Sequence, residues 1–538
     1  MRRSLCLSLI LFTGILLSLL PGCQTPAPIA ERPQHPGQEI IYHLFLRSFY
    51  DSDGDQHGDL KGLRLKLDYL QELGVTSVLL TPLYDSQFYH NYFPINFETI
   101  DPQYGTKDDY FDLLKEMHRR GMKLYMDMEI HYVTADHLWF KDSFENPSSP
   151  YSDYVLYNGP GNTDPESIVY DLTELHSYDG QVVGCYTVNL YDEKVRDYFY
   201  DLFSYWVDPN QDGRFDDGID GFRIDHIMDD LDWKGKFTGL LANFWKPLFQ
   251  ELRQINPDIL IIGEQAEWGY GGSYFQKGDV DAVFAFPLNQ AMRSLDARSI
   301  ATRLDSTSMI TPPDKFQIIF VENHDMPRIA SLLENDLPRL KTAAALNLLL
   351  KGIPSIYYGQ EIGMQGVNGF GKFGITDGND IPVREAFEWY ETVAGPGMAL
   401  WYKETGPWWD QSNLRDQDGI SLQEQKQDTQ SLWNFYRQMI ATRKMHPALN
   451  SGEQLMLDND GENVFTILRA HEEQKILIAL NLSSQEQEVQ CRLPVEDESA
   501  PRQLNELFRL NPQGEAGLNG NDIVLILPPF DIQLWQID

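Results

Sequence analysis

The stretch GIDGFRIDHI, residues 218–227, opens like a buried β-strand and then places an arginine and an aspartate among its apolar residues. Ile219, Phe222 and Ile224 are suited to a packed interior. Arg223 and Asp225 are costly to remove from water unless they pair. A charged pair kept in such a strand therefore needs a reason that packing does not supply.

Apolar runs of this kind recur from Glu39 onward and alternate with helical patterns, such as the leucine-periodic segment LRLKLDYLQELG at residues 63–74. This alternation predicts an α/β fold in which eight parallel strands close into a (β/α)8 barrel. The eight runs are EIIYHLFL (39–46), VTSVLLTP (75–82), MKLYMDM (122–128), GIDGFRID (218–225), DILIIGEQ (258–265), VDAVFAF (280–286), FQIIFVEN (316–323) and IPSIYYG (353–359).

Two inserts and a change from alternating strands and helices to short strands alone divide the chain. Residues 129–190 are rich in Tyr, Asn, Pro and Gly and predict an excursion domain after the third strand. The second insert follows the eighth strand and carries four tryptophans, for which core packing is the expectation. After residue 455, short alternating strands predict an antiparallel β-sandwich. The predicted segments are a barrel at 39–128 and 191–454, the excursion domain at 129–190 and the sandwich at 455–538.

The first 23 residues, MRRSLCLSLILFTGILLSLLPGC, combine two arginines with a short apolar run, which is typical of a secretory signal. Their end resembles the bacterial lipobox, so we expect a signal peptide at 1–22, a lipidated Cys23 and a tether at 23–38. Gln24 is not the aspartate of inner-membrane retention, which favours a lipid-anchored protein of the cell envelope, at the outer membrane. Ordinary cleavage and release is the alternative.

The composition excludes one class of partner. Asp and Glu number 80 against 43 Lys and Arg, giving a net charge of −37 that repels nucleic acids. The 12% aromatic content suits a large core, but it also suits the apolar faces of sugars. Outside the leader only Cys185 and Cys491 remain, which we expect to be free buried thiols.

Carboxylates follow three of the predicted barrel strands. Asp225 ends the fourth strand, Glu264 ends the fifth, and Asp325 follows the seventh. Active sites of such barrels lie at the carboxyl ends of the strands. Each carboxylate alone could be a helix cap or a surface group. Three of them on a common rim, with Arg223 and His324 beside them, indicate a functional site.

The motifs GFRID (221–225), GE (263–264) and NHD (323–325) resemble, in order, those of glycoside hydrolase family 13, the α-amylase family. The resemblance begins near Ile40 and continues into the C-terminal sandwich. It implies a retaining hydrolase of α-glucosides, with starch-derived glucans or malto-oligosaccharides as substrates. Such an enzyme needs one carboxylate as nucleophile and one carboxylic acid that protonates the leaving oxygen.

The resemblance also implies roles for individual residues. Asp225 would be the nucleophile and Glu264 the acid and then the base, while Asp325 would bind sugar hydroxyls. Arg223 would keep Asp225 ionised and oriented, which explains why the pair is buried. The implied substrate contacts are Tyr92 (stacking under the reactive ring), Arg223, His324 and His131.

The sequence departs from the family at the third strand and at its fifth motif. Four and five residues after Asp127, where the family has Asn-His, stand His131 and Tyr132. His131 replaces the family's sugar-binding histidine from one position away, or it is a structural histidine. Thr187 occupies the place of an aspartate of the fifth motif, and Asp229 that of a histidine. Since calcium ligands are lost at two places, we expect the family's calcium site between barrel and excursion domain to be missing.

Two acidic loops are candidate metal sites. In DSDGDQHGD, Asp51, Asp53, Asp55 and Asp59 alternate around the carbonyl of His57, a pattern of oxygen ligands that suits Ca²⁺, with Mg²⁺ as the other candidate. A solvated acidic turn is the alternative. The loop DPNQDGRFDD, residues 208–217, begins like an EF-hand but has Ile219 at the twelfth position instead of glutamate.

The sequence leaves three functions possible. The first is hydrolysis of α-glucosides, and the second is transglycosylation, in which an acceptor sugar replaces water. The third is a non-catalytic glucan-binding lipoprotein on the same fold. Because Asp225, Glu264 and Asp325 are all present, an enzyme is favoured over a protein that only binds glucans. The sequence decides neither which glycosidic linkage is cleaved nor whether the attack is endo or exo.

Overall fold

The computed structural model describes residues 32–410, 415–494 and 503–538. The expected signal peptide, the lipidated Cys23 and the first part of the tether lie outside the described residues. Among the residues described, no helix is long and apolar enough to cross a membrane.

Eight parallel strands close into a barrel, which confirms the predicted fold class. In chain order they are β1 (Ile41–Leu44), β2 (Ser77–Leu80), β3 (Lys123–Met128), β4 (Gly221–Ile227), β5 (Leu260–Gln265), β6 (Ala282–Phe284), β7 (Phe316–Ile319) and β8 (Ile353–Tyr357). Each strand pairs with its sequence neighbours, and β8 pairs with β1. All eight carboxyl ends therefore open on one rim.

The register brings the charged residues of β3 and β4 together. Asp127 pairs with Arg223, and Met128 pairs with Ile224, so the residues after them, Glu129 and Asp225, are also neighbours. Between β4 and β5 the register shifts after Gly263, at the position of Glu264. Such an irregularity redirects a side chain at the end of a strand.

Helices cover the barrel because their apolar faces pack against the strands. In the helix Lys107–Arg119, Tyr110, Leu113 and Met117 are buried, and Thr106 caps the first turn. The helices of the barrel region are Leu60–Leu65, Leu67–Leu73, Lys107–Arg119, Glu193–Val207, Lys246–Ile255, Phe286–Ser294, Ala297–Ile310, Ile329–Leu332, Leu337–Leu349, Leu422–Gln427, Leu432–Met445 and Pro447–Asn450.

The segments that follow β2 and β3 lie at the carboxyl rim. A hairpin between β2 and the helix Lys107–Arg119 consists of Tyr84–Ser86 and Pro94–Ile100, and its connection carries Tyr92. The segment between β3 and the helix Glu193–Val207 holds the helix Leu138–Ser143. It also holds an antiparallel sheet in which Val182–Thr187 lies between Tyr132–Thr134 and Glu174–His176.

The C-terminal region forms two antiparallel sheets, as predicted. One has five strands in the order Glu453–Met456, Val464–His471, Gln474–Asn481, Ile532–Ile537 and Leu504–Arg509, and the other consists of Gln487–Arg492, Asp522–Leu527 and Glu515–Asn519. Leu477, Leu525 and Trp535 share the core between them. Cys185 and Cys491 are free and buried, which confirms that prediction.

Candidate active site

Arg223 lies at the centre of the rim and binds three carboxylates. Its guanidinium is 1% exposed, with Nη1 2.6 Å from both Asp127 Oδ2 and Asp225 Oδ1 and Nη2 2.5 Å from Glu264 Oε2. The sequence predicted the contact with Asp225, and the structure adds the other two. One buried cation shared by three acids leaves an excess of carboxyl groups, so some of them must carry protons.

Asp225 and Glu264 differ in protonation. Burial raises the pKa of Glu264 well above its usual value; Arg223 acts in the opposite direction, and the charges of Asp225 and Asp325 add to the rise. Burial also acts on Asp225, but Arg223 and a hydrogen bond from Glu264 outweigh it and lower its pKa. The pair is therefore a neutral glutamic acid donating a hydrogen bond to an ionised aspartate.

Asp325 closes the third side of this cluster. Its Oδ1 lies 3.1 Å from Arg384 Nη2, and its Oδ2 lies 3.1 Å from His324 Nε2. Burial raises its pKa to about 6, although Arg384 and Arg223 act in the opposite direction. Its side chain is 34% exposed, so solvent reaches this carboxyl group.

Tyr92 and His324 lie side by side on the same rim. The Tyr92 hydroxyl is 2.7 Å from Asp127 Oδ2 and 2.8 Å from His324 Nε2, and the two rings stack 5.5 Å apart. Burial lowers the pKa of His324 well below its usual value, so this imidazole is neutral. The structure thus brings together Tyr92, Arg223, Asp225, Glu264, His324 and Asp325.

His131 lies behind this group. It is completely buried, its Nδ1 lies 2.6 Å from Glu129 Oε1, and its ring packs on Trp245. Burial lowers its pKa to about 4. This placement favours the structural role over the substrate contact that was also expected. The neighbouring Tyr132 donates a hydrogen bond of 2.5 Å to Asp232 in the loop after β4.

Two lysines join the excursion domain to the loop after β4. Lys234 Nζ lies 2.6 Å from the carbonyl of Ser167, 2.9 Å from that of Ile168 and 3.0 Å from Glu166 Oε1. Lys236 binds the other oxygen of Glu166. Burial would raise the pKa of Glu166, but the hydrogen bonds from Lys236 and Lys234 lower it to about 2.

The first acidic loop gathers three of its predicted ligands. Oxygen atoms of Asp51, Asp53 and Asp59 lie within 4.8 Å of one another, and Asp51 and Asp59 are buried. Asp55 is outside this group, and its Oδ1 accepts a hydrogen bond of 2.7 Å from the backbone N–H of His57. Three carboxylates at this spacing fit a hard divalent cation.

The sequence-based prediction missed four residues of this region. Asp127 was visible at the end of β3, and Glu129 could have been found by counting the strand register. Arg384 lies in the insert that follows β8. The sequence of this insert has no periodic pattern that would place a residue at the rim. Lys234 carries no motif, and only its contacts reveal it. The tryptophans of that insert include Trp389, Trp401 and Trp408, which are buried as expected.

The family profile described as "Alpha amylase, catalytic domain" matches residues 43–452. The chain belongs to the α-amylase family. It is therefore a glycoside hydrolase of glycoside hydrolase family 13, as the motifs predicted.

Other members of the α-amylase family are similar to this chain over most of its length. "Alpha-amylase 3" of Dictyoglomus thermophilum is 29% identical over 454 residues, which cover 82% of this chain and 84% of the relative. "Probable oligo-1,6-glucosidase 3" of Bacillus subtilis is 29% identical over 525 residues, covering 83% and 90%. The crystal structure of the α-amylase from H. orenii covers 93% of this chain and 99% of its own, with a TM-score of 0.75 and 25% identity.

Proposed function

We propose that the protein is an extracytoplasmic, retaining α-glucoside hydrolase that acts on starch-derived glucans or malto-oligosaccharides. The observation that carries this proposal is the pairing of an ionised Asp225 with a neutral Glu264 around Arg223. One is the protonation state of a nucleophile and the other that of a general acid.

In the first step, a carboxylate oxygen of Asp225 attacks the anomeric carbon while the bond to the leaving oxygen breaks. Glu264 gives its proton to that oxygen, and a glycosyl ester of Asp225 forms. In the second step, water loses a proton to the ionised Glu264 and attacks the same carbon, which releases Asp225 as a carboxylate. Glu264 is then protonated again, so the cycle closes.

The spacing of the two carboxyl groups supports retention of configuration. Asp225 and Glu264 are in hydrogen-bond contact. Inverting enzymes separate their carboxyl groups by about 6.5–9.5 Å to leave room for a water molecule. A pair in contact has no such room, so attack by Asp225 itself is the favoured route.

The groups around this pair would hold the reacting sugar. Asp325 is fixed by Arg384 and His324, and it offers acceptor oxygens to sugar hydroxyls. His324 and Tyr92 form a stacked wall beside it, with 1% and 8% of their surfaces exposed. An aromatic face next to a carboxylate suits a pyranose ring, which has an apolar face and hydroxyls at its edge.

We propose that Ca²⁺ binds Asp51, Asp53 and Asp59, with Mg²⁺ as the competing ion. The ion would supply positive charge that links the two ends of the loop. It would have no part in the bond-breaking steps, because Asp59 caps the helix Leu60–Leu65 on the outer layer. We also propose export and a lipid anchor at Cys23, which rest on the leader sequence. Labelling of the wild type with a fatty acid that persists in a Cys23→Ser variant would contradict the anchor.

The activity is tested by incubating the full chain with maltotriose, maltoheptaose, pullulan, isomaltose and sucrose, and separating the products by chromatography. Proton NMR of the first-formed anomer then decides the stereochemistry. We expect shorter glucans carrying the α-anomer at the new reducing end. Oligomers longer than the substrate would favour transglycosylation, and a β-anomer formed first would contradict the retaining mechanism.

A further inference from the structure

Glu129 is a buried acid beside the proposed nucleophile that the mechanism above does not use. It directly follows β3 and is 1% exposed. The register of β3 and β4 pairs Met128 with Ile224, which makes Asp225 the lateral neighbour of Glu129. The two carboxyl groups are in hydrogen-bond contact.

Two carboxyl groups form a hydrogen bond only if one of them carries a proton. Asp225 has Arg223 Nη1 2.6 Å from its Oδ1, whereas Glu129 has no arginine or lysine partner among the described residues. Burial and the charge of Asp225 raise the pKa of Glu129 well above its usual value, and each acts more strongly than His226, which acts in the opposite direction. The proton of the shared hydrogen bond therefore belongs to Glu129.

The histidine behind Glu129 fixes its other oxygen. Glu129 Oε1 accepts hydrogen bonds from the backbone N–H of His131 and from its Nδ1, the latter at 2.6 Å. Since His131 has a lowered pKa, its ring is neutral. We assign its proton to Nδ1, which has Glu129 Oε1 as an acceptor, because Nε2 is buried without a hydrogen-bond partner. With Oε1 occupied twice, Oε2 is the oxygen that remains for the proton and for Asp225.

We propose that Glu129 is a positioning residue whose neutral carboxyl group donates a hydrogen bond to Asp225 and holds the nucleophile ionised and oriented. This inference rests on the function proposed above, in which Asp225 is the nucleophile. The donor stabilises the negative charge of Asp225 before the attack, and again when the glycosyl ester is hydrolysed and the carboxylate returns. Charge-assisted hydrogen bonds to a carboxylate lower its pKa.

Other ionisable groups also face Asp225, and their contributions stay the same in all variants tested. Around Asp225 they are Arg223 and His226 of β4, Glu264 of β5, Asp127 of β3, Glu129, His131, Tyr132, Tyr84, Tyr92, His90 and Asp325; around Glu129 they are Asp225, His226, His131, Tyr84 and Tyr132.

The test compares Glu129→Gln, which keeps a donor, with Glu129→Leu, which removes it, using kcat and the pH dependence of kcat/KM. For Glu129→Leu we expect kcat to fall about 10- to 100-fold with KM little changed, from the loss of one hydrogen bond to a charged group. The acidic limb of kcat/KM should move up by about one pH unit, because Asp225 becomes harder to ionise. Glu129→Gln should keep the acidic limb and stay within about threefold in kcat.

Glu322→Gln is the matched control. Glu322 is also a buried glutamate beyond the end of a barrel strand, but it binds Arg328, 3.0 Å away, on the other side of the barrel rim from β3. This change is expected to lower stability and to leave the acidic limb in place. Circular dichroism and thermal unfolding show whether each variant is folded.

The outcomes separate the inference from the function on which it rests. A wild-type protein inert on all the α-glucosides contradicts the proposed function. An active wild type with an unchanged kcat and acidic limb in folded Glu129→Leu contradicts the role of Glu129. If Glu129→Leu does not fold, Glu129→Gln decides alone: an acidic limb that moves down in pH would mean that Glu129 is ionised in the wild type, which overturns the inference.

Discussion

The pKa values of two buried glutamates of this protein are shifted in opposite directions. Glu264, at the end of β5, shares the single guanidinium of Arg223 with Asp127 and Asp225. Glu166, in the excursion domain, binds an ammonium group at each of its two oxygens, those of Lys234 and Lys236, although Lys234 also lies 3.6 Å from Asp232 Oδ2. The pKa of Glu264 is raised well above its usual value, whereas that of Glu166 is lowered to about 2.

Burial raises the pKa of both carboxyl groups, whose side chains are less than one-tenth exposed; the hydrogen bonds from two lysines outweigh it at Glu166, whereas one shared arginine does not at Glu264. Glu264 therefore keeps a proton, which is available for transfer to a leaving group. Glu166, with a lysine at each of its oxygens, is ionised and holds two parts of the chain together. The same residue type thus serves as a proton donor at one site and as a structural ion-pair partner at the other.

The largest effect is expected from removing the charge of the nucleophile. Asp225→Asn keeps the shape of the side chain but takes away the attacking carboxylate, so kcat should fall about 10⁴-fold. Steady-state kinetics on maltoheptaose measures it. Asp201→Asn, an exposed aspartate on the helix Glu193–Val207, is the control and should match the wild type. Unchanged turnover in Asp225→Asn would mean that the chemistry occurs elsewhere or that the protein only binds glucans.

The second prediction concerns the proton of Glu264. Because its pKa is raised, activity should be present while Glu264 is protonated and should fall as the pH rises through that pKa. On the acidic side, activity should fall as Asp225 takes up a proton below its lowered pKa. Glu264→Gln cannot ionise, so the alkaline limb should disappear and kcat should fall about 10²–10⁴-fold.

The pH profile of kcat/KM of both proteins is the measurement for this prediction. An alkaline limb that survives unchanged in Glu264→Gln would assign the proton to another group. In that case the contrast between Glu264 and Glu166 would say nothing about catalysis.

The third prediction concerns the ion pairs of Glu166 with Lys234 and Lys236. Lys234→Met removes an ammonium that is 13% exposed and has several oxygen partners, so the free energy of unfolding should fall by about 3 kcal/mol. Proteolysis within residues 129–190 should become faster. Lys277→Met, which removes the more exposed pair with Asp229, is the control and should change stability by about 0.5 kcal/mol at most. Equal sensitivity of both variants would refute a special role of Lys234.

The interaction at Glu166 also has a pH dependence of defined sign. Its pKa is lowered from 4.5 to about 2, so the stabilisation is present above the unfolded value and is lost as the pH falls through the folded one. Excess acid sensitivity of the excursion domain should therefore appear below about pH 4.5 in the wild type and be smaller in Lys234→Met. Proteolysis by pepsin over this range is the measurement.

The smallest effect is expected at the acidic loop. A Ca²⁺ concentration ten times the Kd should stabilise the chain by about 1.4 kcal/mol without changing kcat. The double variant Asp51→Asn, Asp53→Asn should lose this response. Thermal unfolding with and without Ca²⁺, after treatment with a chelator, measures it. A calcium response that persists in the double variant would move the ion to another site, such as the loop at residues 208–217.

Much of the fold followed from the sequence because it depends on local patterns. Each of the eight strand-like runs became a barrel strand, since apolar runs separated by amphipathic helices have few other ways to bury their surface. The common rim of Asp225, Glu264 and Asp325 followed as well, because the carboxyl ends of parallel strands must lie together. Roles in the chemistry rested on the resemblance to the family.

What only the tertiary structure decided is how charges are shared across the strands and inserts. The sequence predicted a pair, Arg223 with Asp225, whereas the structure shows one cation among three acids and a further neutral acid, Glu129, behind the nucleophile. Lys234 reaches Glu166 across 68 residues of chain, and Arg384 reaches Asp325 from the second insert. Side-chain type sets which charge a residue can carry, but protonation depends on burial and on every neighbour within a few ångströms, and those neighbours come from distant parts of the chain.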